Sequence, residues 1–225
     1  KRSLISTYLS QDDVIQFLKQ DTSKYRILPL GTLGNENRWA AFQIESVRGY
    51  HPAKLFLYNK MKEEVGWNYL GVLQMLNVKY IITLDELPHP AFDLVFSGRL
   101  FHQGNYQKAN VYQFKYAFQR IFFAHSLKVI PELNDQFNFI RTKGFNPQKT
   151  AILEQEIGSV TYHPNADAEI MFWSPDKIEI QVDVPTDQLL VLSEIFYPNG
   201  WKITNHPNWV IHPVNIILRG IQIPS

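Results

Sequence analysis

From Lys177 to Val184 the chain alternates without a break: Ile178, Ile180, Val182 and Val184 fall on one side, Lys177, Glu179, Gln181 and Asp183 on the other. Successive side chains of a strand point to opposite faces, so this segment is an antiparallel strand with one face buried and the other in water. A helix would scatter the same residues around its circumference. Ser174-Pro175-Asp176 is a turn into it from a preceding strand at 168–173. Further strand signals follow at Leu189–Phe196, Trp209–Ile211, Ile216–Leu218 and Ile221–Ile223. From about Gly158 onward no helical period survives, and short strands parted by turn clusters imply a β-sandwich.

The earlier part reads differently. Ser10 with Asp13 is a capping-box pattern, followed by an apolar face at Val14, Phe17 and Leu18. Tyr25–Leu28 is a strand ended by Pro29 and Gly31. Pro52 fits a first helical turn, and Leu55, Tyr58, Met61 and Val65 continue the period until Gly66. A short helix within 67–76 precedes a buried strand at Val78–Ile82. Strands near Leu94–Ser97, Val111–Lys115 and Arg120–Ala124, a helix from Pro131 to about Gly144, and a strand at Thr150–Leu153 complete this half. The expected class is α+β: a mixed α/β lobe over 1–155, then an antiparallel β-sandwich lobe over 156–225 that lacks its last strand.

Composition narrows the chemistry. Of 225 residues, 45% are hydrophobic and 19% charged, enough for a sizeable core. Net charge is +1 with no basic run, which argues against nucleic acid as a partner. There is no cysteine, so disulfides and thiolate chemistry are excluded. The longest stretch free of Asp, Glu, Lys and Arg, Ile203–Leu218, contains Pro207 and Pro213 and does not read as a spanning helix. The seven histidines form no HxH, HxxxH or HExxH pattern, so no metal site and no cofactor is expected. No GxSxG, P-loop or GxGxxG occurs, Gly31-Thr32-Leu33-Gly34 reads as a plain loop, and no catalytic residue is assigned.

Two features remain. Glu194 and Arg219 are lone charges in apolar strands, and a charge there needs a partner or an exit to water. They are expected either to approach each other as a structural ion pair or to sit at solvated strand ends. Tyr197-Pro198-Asn199-Gly200-Trp201, with Trp209 nearby, offers Tyr197 and Trp201 as a stacking platform for a sugar ring; packing of Trp201 in the core is the commoner use.

Four segments, in order, resemble the C-terminal region of YfhO-family bacterial membrane proteins: Gly49-Tyr50-His51-Pro52-Ala53-Lys54-Leu55 with Tyr58; Leu76-Asn77-Val78-Lys79-Tyr80-Ile81-Ile82; Leu192-Ser193-Glu194 through Tyr197-Pro198-Asn199-Gly200-Trp201; and Asn215 through Leu218-Arg219-Gly220 to Ile223-Pro224. The resemblance implies a multi-span protein of the GT-C glycosyltransferase type. Such a protein moves a sugar from a polyprenyl-phosphate donor onto a cell-envelope acceptor, with its catalytic acid outside this segment. The chain would then be an extracytoplasmic accessory domain whose partners are the membrane-embedded remainder of the same protein and a glycan or polyprenyl-phosphate-linked sugar. Tyr50, His51 and Lys54 would open a helix whose N-terminus can hold an anionic group. A non-catalytic carbohydrate-binding or protein-interaction module is the alternative. The pattern departs from the family after Trp201, where Lys202–Asn208 stands in place of an Asp-Gly turn. The early stop after Pro224 leads us to expect an unpaired edge strand and self-association through it.

Overall fold

A computed structural model of the chain describes residues 8–50, 55–198 and 200–225. The class is α+β, as the sequence implies: a mixed sheet with helices, together with antiparallel sheets. The chain divides into two compact units, 1–53 with 76–117, and 54–75 with 118–225. A boundary at 155 does not coincide with this division. The physical reason lies in strand pairing: residues 121–124 hydrogen-bond to 189–192, which draws the middle of the chain into the second unit.

The first unit is built on a five-stranded sheet. Its strands are β1 (Arg26–Pro29), β2 (Glu45–Ser46), β3 (Val78–Thr83), β4 (Phe92–His102) and β5 (Asn105–Phe114), in the order β2-β1-β3-β5-β4. β1 runs parallel to β2 and β3, whereas β3, β5 and β4 are mutually antiparallel neighbours. β4 and β5 form one long hairpin where the sequence signalled only fragments. Its turn, Gln103-Gly104, has both residues at positive φ (49° and 85°), as a two-residue type I′ turn demands.

Helix α1 (Asp13–Gln20) packs Val14, Ile15 and Leu18 into a core with Tyr25, Ile27, Tyr80, Ile82 and Leu100. Its N-cap is Asp12 rather than Ser10, because the Asp12 carboxylate accepts the Ile15 N–H at 3.0 Å. A 3-10 turn (Gly31–Asn35) and the single-turn helix α2 (Arg38–Ala41) connect β1 to β2.

The second unit contains α3 (Phe56–Glu64), α4 (Leu70–Met75), β6 (Ile121–Ala124), β7 (Leu127–Val129), α5 (Leu133–Ile140), β8 (Ala151–Leu153), β9 (Asp167–Trp173), β10 (Ile178–Asp183), β11 (Gln188–Ile195), β12 (Ile211–Val214) and β13 (Leu218–Ile223). Four strands form an antiparallel sheet in the order β12-β13-β11-β6, and β9 and β10 form a separate hairpin. The inner face of that hairpin, Ala168, Ile170, Ile180 and Val182, lies on Phe123, Leu190, Leu192 and Ile223 of the sheet. The alternation at 177–184 therefore has its cause in two-layer packing.

The two separate strands expected at Ile216–Leu218 and Ile221–Ile223 are instead one strand, β13. Asn215 and Ile216, at φ 49° and 72°, form the tight reversal that precedes it. Gly220 is required there, because a Cβ would lie 2.3 Å from Val214 Cγ2.

One electrostatic feature of the first unit is testable by pH. Burial works to raise the Asp21 pKa, but hydrogen bonds from Lys79, Ser23 and Tyr80 outweigh it and hold the pKa at about 2. An unfolded aspartate titrates near about 3.9. The bound carboxylate thus adds stability that is complete above that value and is lost as pH falls towards 2. Because Asp21 is partly solvated, the loss is about 1 kcal/mol. Urea titrations from pH 5 down to pH 2 should show an acid-induced loss in the wild type that is smaller by this amount in Asp21→Asn.

Candidate functional site

The sequence-derived residues distribute over several places. Tyr50 is exposed, and its backbone is clamped by Asn37: the Tyr50 N–H donates to Asn37 Oδ1 at 2.9 Å, and Asn37 Nδ2 donates to the Tyr50 carbonyl at 2.6 Å. The helix opening expected at Pro52 lies outside the described residues; α3 begins at Phe56, after Leu55 in extended conformation, so Tyr50 does not contribute to its first turn. His51 and Lys54 lie outside the described residues.

Glu194 and Arg219 lie in the second unit where β11 bulges. Leu192 pairs with Arg219 and Ile195 with Leu218, which leaves Ser193 and Glu194 in the irregularity between them. Glu194 Oε1 accepts from Arg120 Nε at 2.6 Å, a partner on the chain just before β6 that the sequence did not point to. Arg219 Nε donates to the Ile195 carbonyl at 3.1 Å, and its guanidinium carbon stands 4.2 Å from the Trp201 ring centre. A desolvated guanidinium over an indole face is a favourable cation–π contact. Trp201 is half-buried beneath it, while Tyr197 is 56% exposed. Gly200 permits this turn, since a Cβ would sit 2.4 Å from Tyr197 Cδ1. Trp209 leaves the platform: it packs against the sheet core and stacks on His206 at 4.0 Å.

The polar constellation that local sequence patterns missed lies in the first unit. His102, at the end of β4, is 2% exposed and hydrogen-bonded at both ring nitrogens. Its Nδ1 lies 2.6 Å from Glu36 Oε1 and its Nε2 lies 2.9 Å from Thr32 Oγ1. A carboxylate only accepts, so Nδ1 carries the proton, and in that tautomer of the neutral ring Nε2 has a lone pair facing the Thr32 hydroxyl. Tyr8 steadies Glu36 by donating its hydroxyl to Oε2 at 3.3 Å. Burial first, and the Glu36 charge second, raise the Tyr8 pKa above its ordinary value and keep it a donor.

Next to this network is a buried ion pair. Arg38 Nη1 donates to Asp12 Oδ2 at 2.5 Å, Nε to the Tyr8 carbonyl at 2.6 Å, and Nη2 to the Ser10 carbonyl at 2.6 Å. Thr32 itself is exposed on the 3-10 turn, after Gly31 at φ 55°. Thr32 and His102 stand 70 positions apart, so no short motif could reveal them; the available signal was a Gly-Thr pair placed between a strand and a turn.

Among the described residues no group of three or more His, Asp or Glu is placed to hold a metal ion, and no helix is long and apolar enough to cross a membrane. Comparison with known proteins gives no matching family model, no matching curated protein and no matching solved structure.

Proposed function

We propose that the chain is an extracytoplasmic accessory domain of a YfhO-like multi-span protein of cell-envelope glycosylation, contacting glycan through Tyr197 and Trp201, with sugar transfer carried out elsewhere in the same protein. The observation supporting this reading is that two segments carrying the resemblance meet. Arg219, from Leu218-Arg219-Gly220, covers one face of Trp201, from the Tyr197–Trp201 turn, at 4.2 Å. A platform fixed from one side in this way has an orientation set before any ligand arrives, which lowers the ordering cost of binding. Its partners are the membrane-embedded remainder of the protein and a glycan or polyprenyl-phosphate-linked sugar on the extracytoplasmic face.

The second reading, a carbohydrate-binding module acting without the transferase, is favoured by the exposure of Tyr197. One experiment separates the two. Trp201→Ala in the full-length protein should lower glycan transfer in membranes roughly 3- to 10-fold, the equivalent of an aromatic contact of about 0.5–1.5 kcal/mol. Transfer at the wild-type rate, with oligosaccharide still quenching tryptophan fluorescence of the isolated chain, would favour the second reading. Neither effect would remove both. Activities of His51→Ala and Lys54→Ala, measured alongside, test the anion-binding role of the segment before α3.

A further inference from the structure

We infer that Thr32, His102 and Glu36 form an acyl-transfer site in which the Thr32 hydroxyl is a nucleophile towards small carboxylic esters. The inference does not rest on the glycan reading. It rests on three coincident observations. The hydroxyl, imidazole and carboxylate are joined in that order by contacts of 2.9 and 2.6 Å, the reach required of a nucleophile, its base and the group that orients the base. The three are graded in exposure: Thr32 is open, Glu36 half-buried and His102 enclosed, so the base is shielded while the nucleophile is accessible. The backbone beside the nucleophile is uncrowded: apart from its chain neighbours, nothing lies within 4 Å of the position a Cβ would take on Gly31, the residue before Thr32.

The chemistry balances with these groups and water. Thr32 Oγ1 bonds to the ester carbonyl carbon as its proton passes to His102 Nε2. The resulting oxyanion re-forms the carbonyl, the ester C–O bond breaks, and the departing alcohol takes the proton from Nε2. Water then attacks the acyl-threonine, gives a proton to Nε2, and releases the carboxylic acid as Thr32 regains its hydrogen. Glu36 accepts the Nδ1–H throughout and acts only through His102, so it is a positioning residue.

The test uses the whole chain and p-nitrophenyl acetate. The expected result is p-nitrophenol release together with an acetyl mass adduct on the peptide containing Thr32. Thr32→Val should lower the rate roughly 100-fold, the scale of a lost nucleophile and base pair. Thr32→Ser should retain the rate within several-fold. Glu36→Gln should lower kcat with little change in KM, and Glu36→Asp should recover part of the loss; a merely structural Glu36 would show no such split and no such rescue. Because Thr32 is exposed, its variants test the site even where a His102 variant fails to fold. Equal rates for wild type and Thr32→Val, or acetylation confined to other residues, would overturn the assignment.

Discussion

Replacing Arg38 with Met should lower the unfolding free energy by about 3–5 kcal/mol, the cost of leaving a buried charge without its partner. The side chains of Arg38 and Asp12 are 2% and 1% exposed, so water cannot substitute for either. The substitution would also remove the guanidinium donors to the Tyr8 and Ser10 carbonyls. The remaining carboxylate would keep two backbone donors, Ile15 N–H and Phe101 N–H, each at 3.0 Å. Those bonds hold its geometry but supply no counter-charge. Urea unfolding of Arg38→Met, Asp12→Leu and the double variant measures the effect. The double variant should be less destabilised than the two single losses added together, by at least about 1.5 kcal/mol, because contacting residues couple. Additive losses would show that the two groups stabilise the unit separately.

The second large effect is expected at Asn215. Its backbone N–H donates to the Ile152 carbonyl at 2.9 Å and its Oδ1 accepts the Ile152 N–H at 2.9 Å, so one residue supplies both halves of a strand contact to β8. It does so at φ 49° and with no solvent exposure. Asn215→Ala leaves the Ile152 N–H unpaired, at about 1–3 kcal/mol, and loses asparagine's tolerance of the left-handed region, at about 1 kcal/mol. Asn215→Gly removes the second penalty only. Denaturant titration should therefore rank wild type above Gly above Ala, with Ala about 2–4 kcal/mol below wild type. If Gly and Ala fall together, the backbone conformation at this position contributes nothing. Ile216, at φ 72°, closes the reversal through an Ile217 N–H to Asn215 carbonyl bond of 2.9 Å, the rare γ-turn that costs a β-branched residue strain.

These positions show why parts of the molecule were legible and others were not. The strand at Ile178–Asp183 was plain because its outer face is wet and its inner face lies on another sheet, and that asymmetry is written as alternation. The buried strand Val78–Thr83 was plain from its β-branched run. The reversal at Asn215-Ile216 was missed because isoleucine is a strand former and gives no turn signal, so tertiary packing overrode propensity. The Gln103-Gly104 turn was missed for a different reason: Gly104 is a turn signal, but Gln103 is not a usual left-handed residue and the strands beside it mix polar and apolar side chains. In the candidate site, Glu194 was recognisable as an isolated charge, but Arg120, 74 positions away, was not recognisable as its partner. The Thr32–His102–Glu36 cluster left even less trace, because each member is unremarkable among its own neighbours.

The interleaving of the two units has a consequence for synthesis at the ribosome. All strands of the first sheet have been synthesised once residue 114 is made, and its last pairing joins neighbours across a two-residue turn. The other sheet waits: Ile121–Ala124 cannot find Leu189–Leu192 until some 65 further residues have been added. During that interval Phe122 and Phe123, both buried in the finished protein, have no strand to pair with. A nascent chain stalled between these points carries an apolar strand edge in search of a partner, the stage at which association with another chain is most favoured.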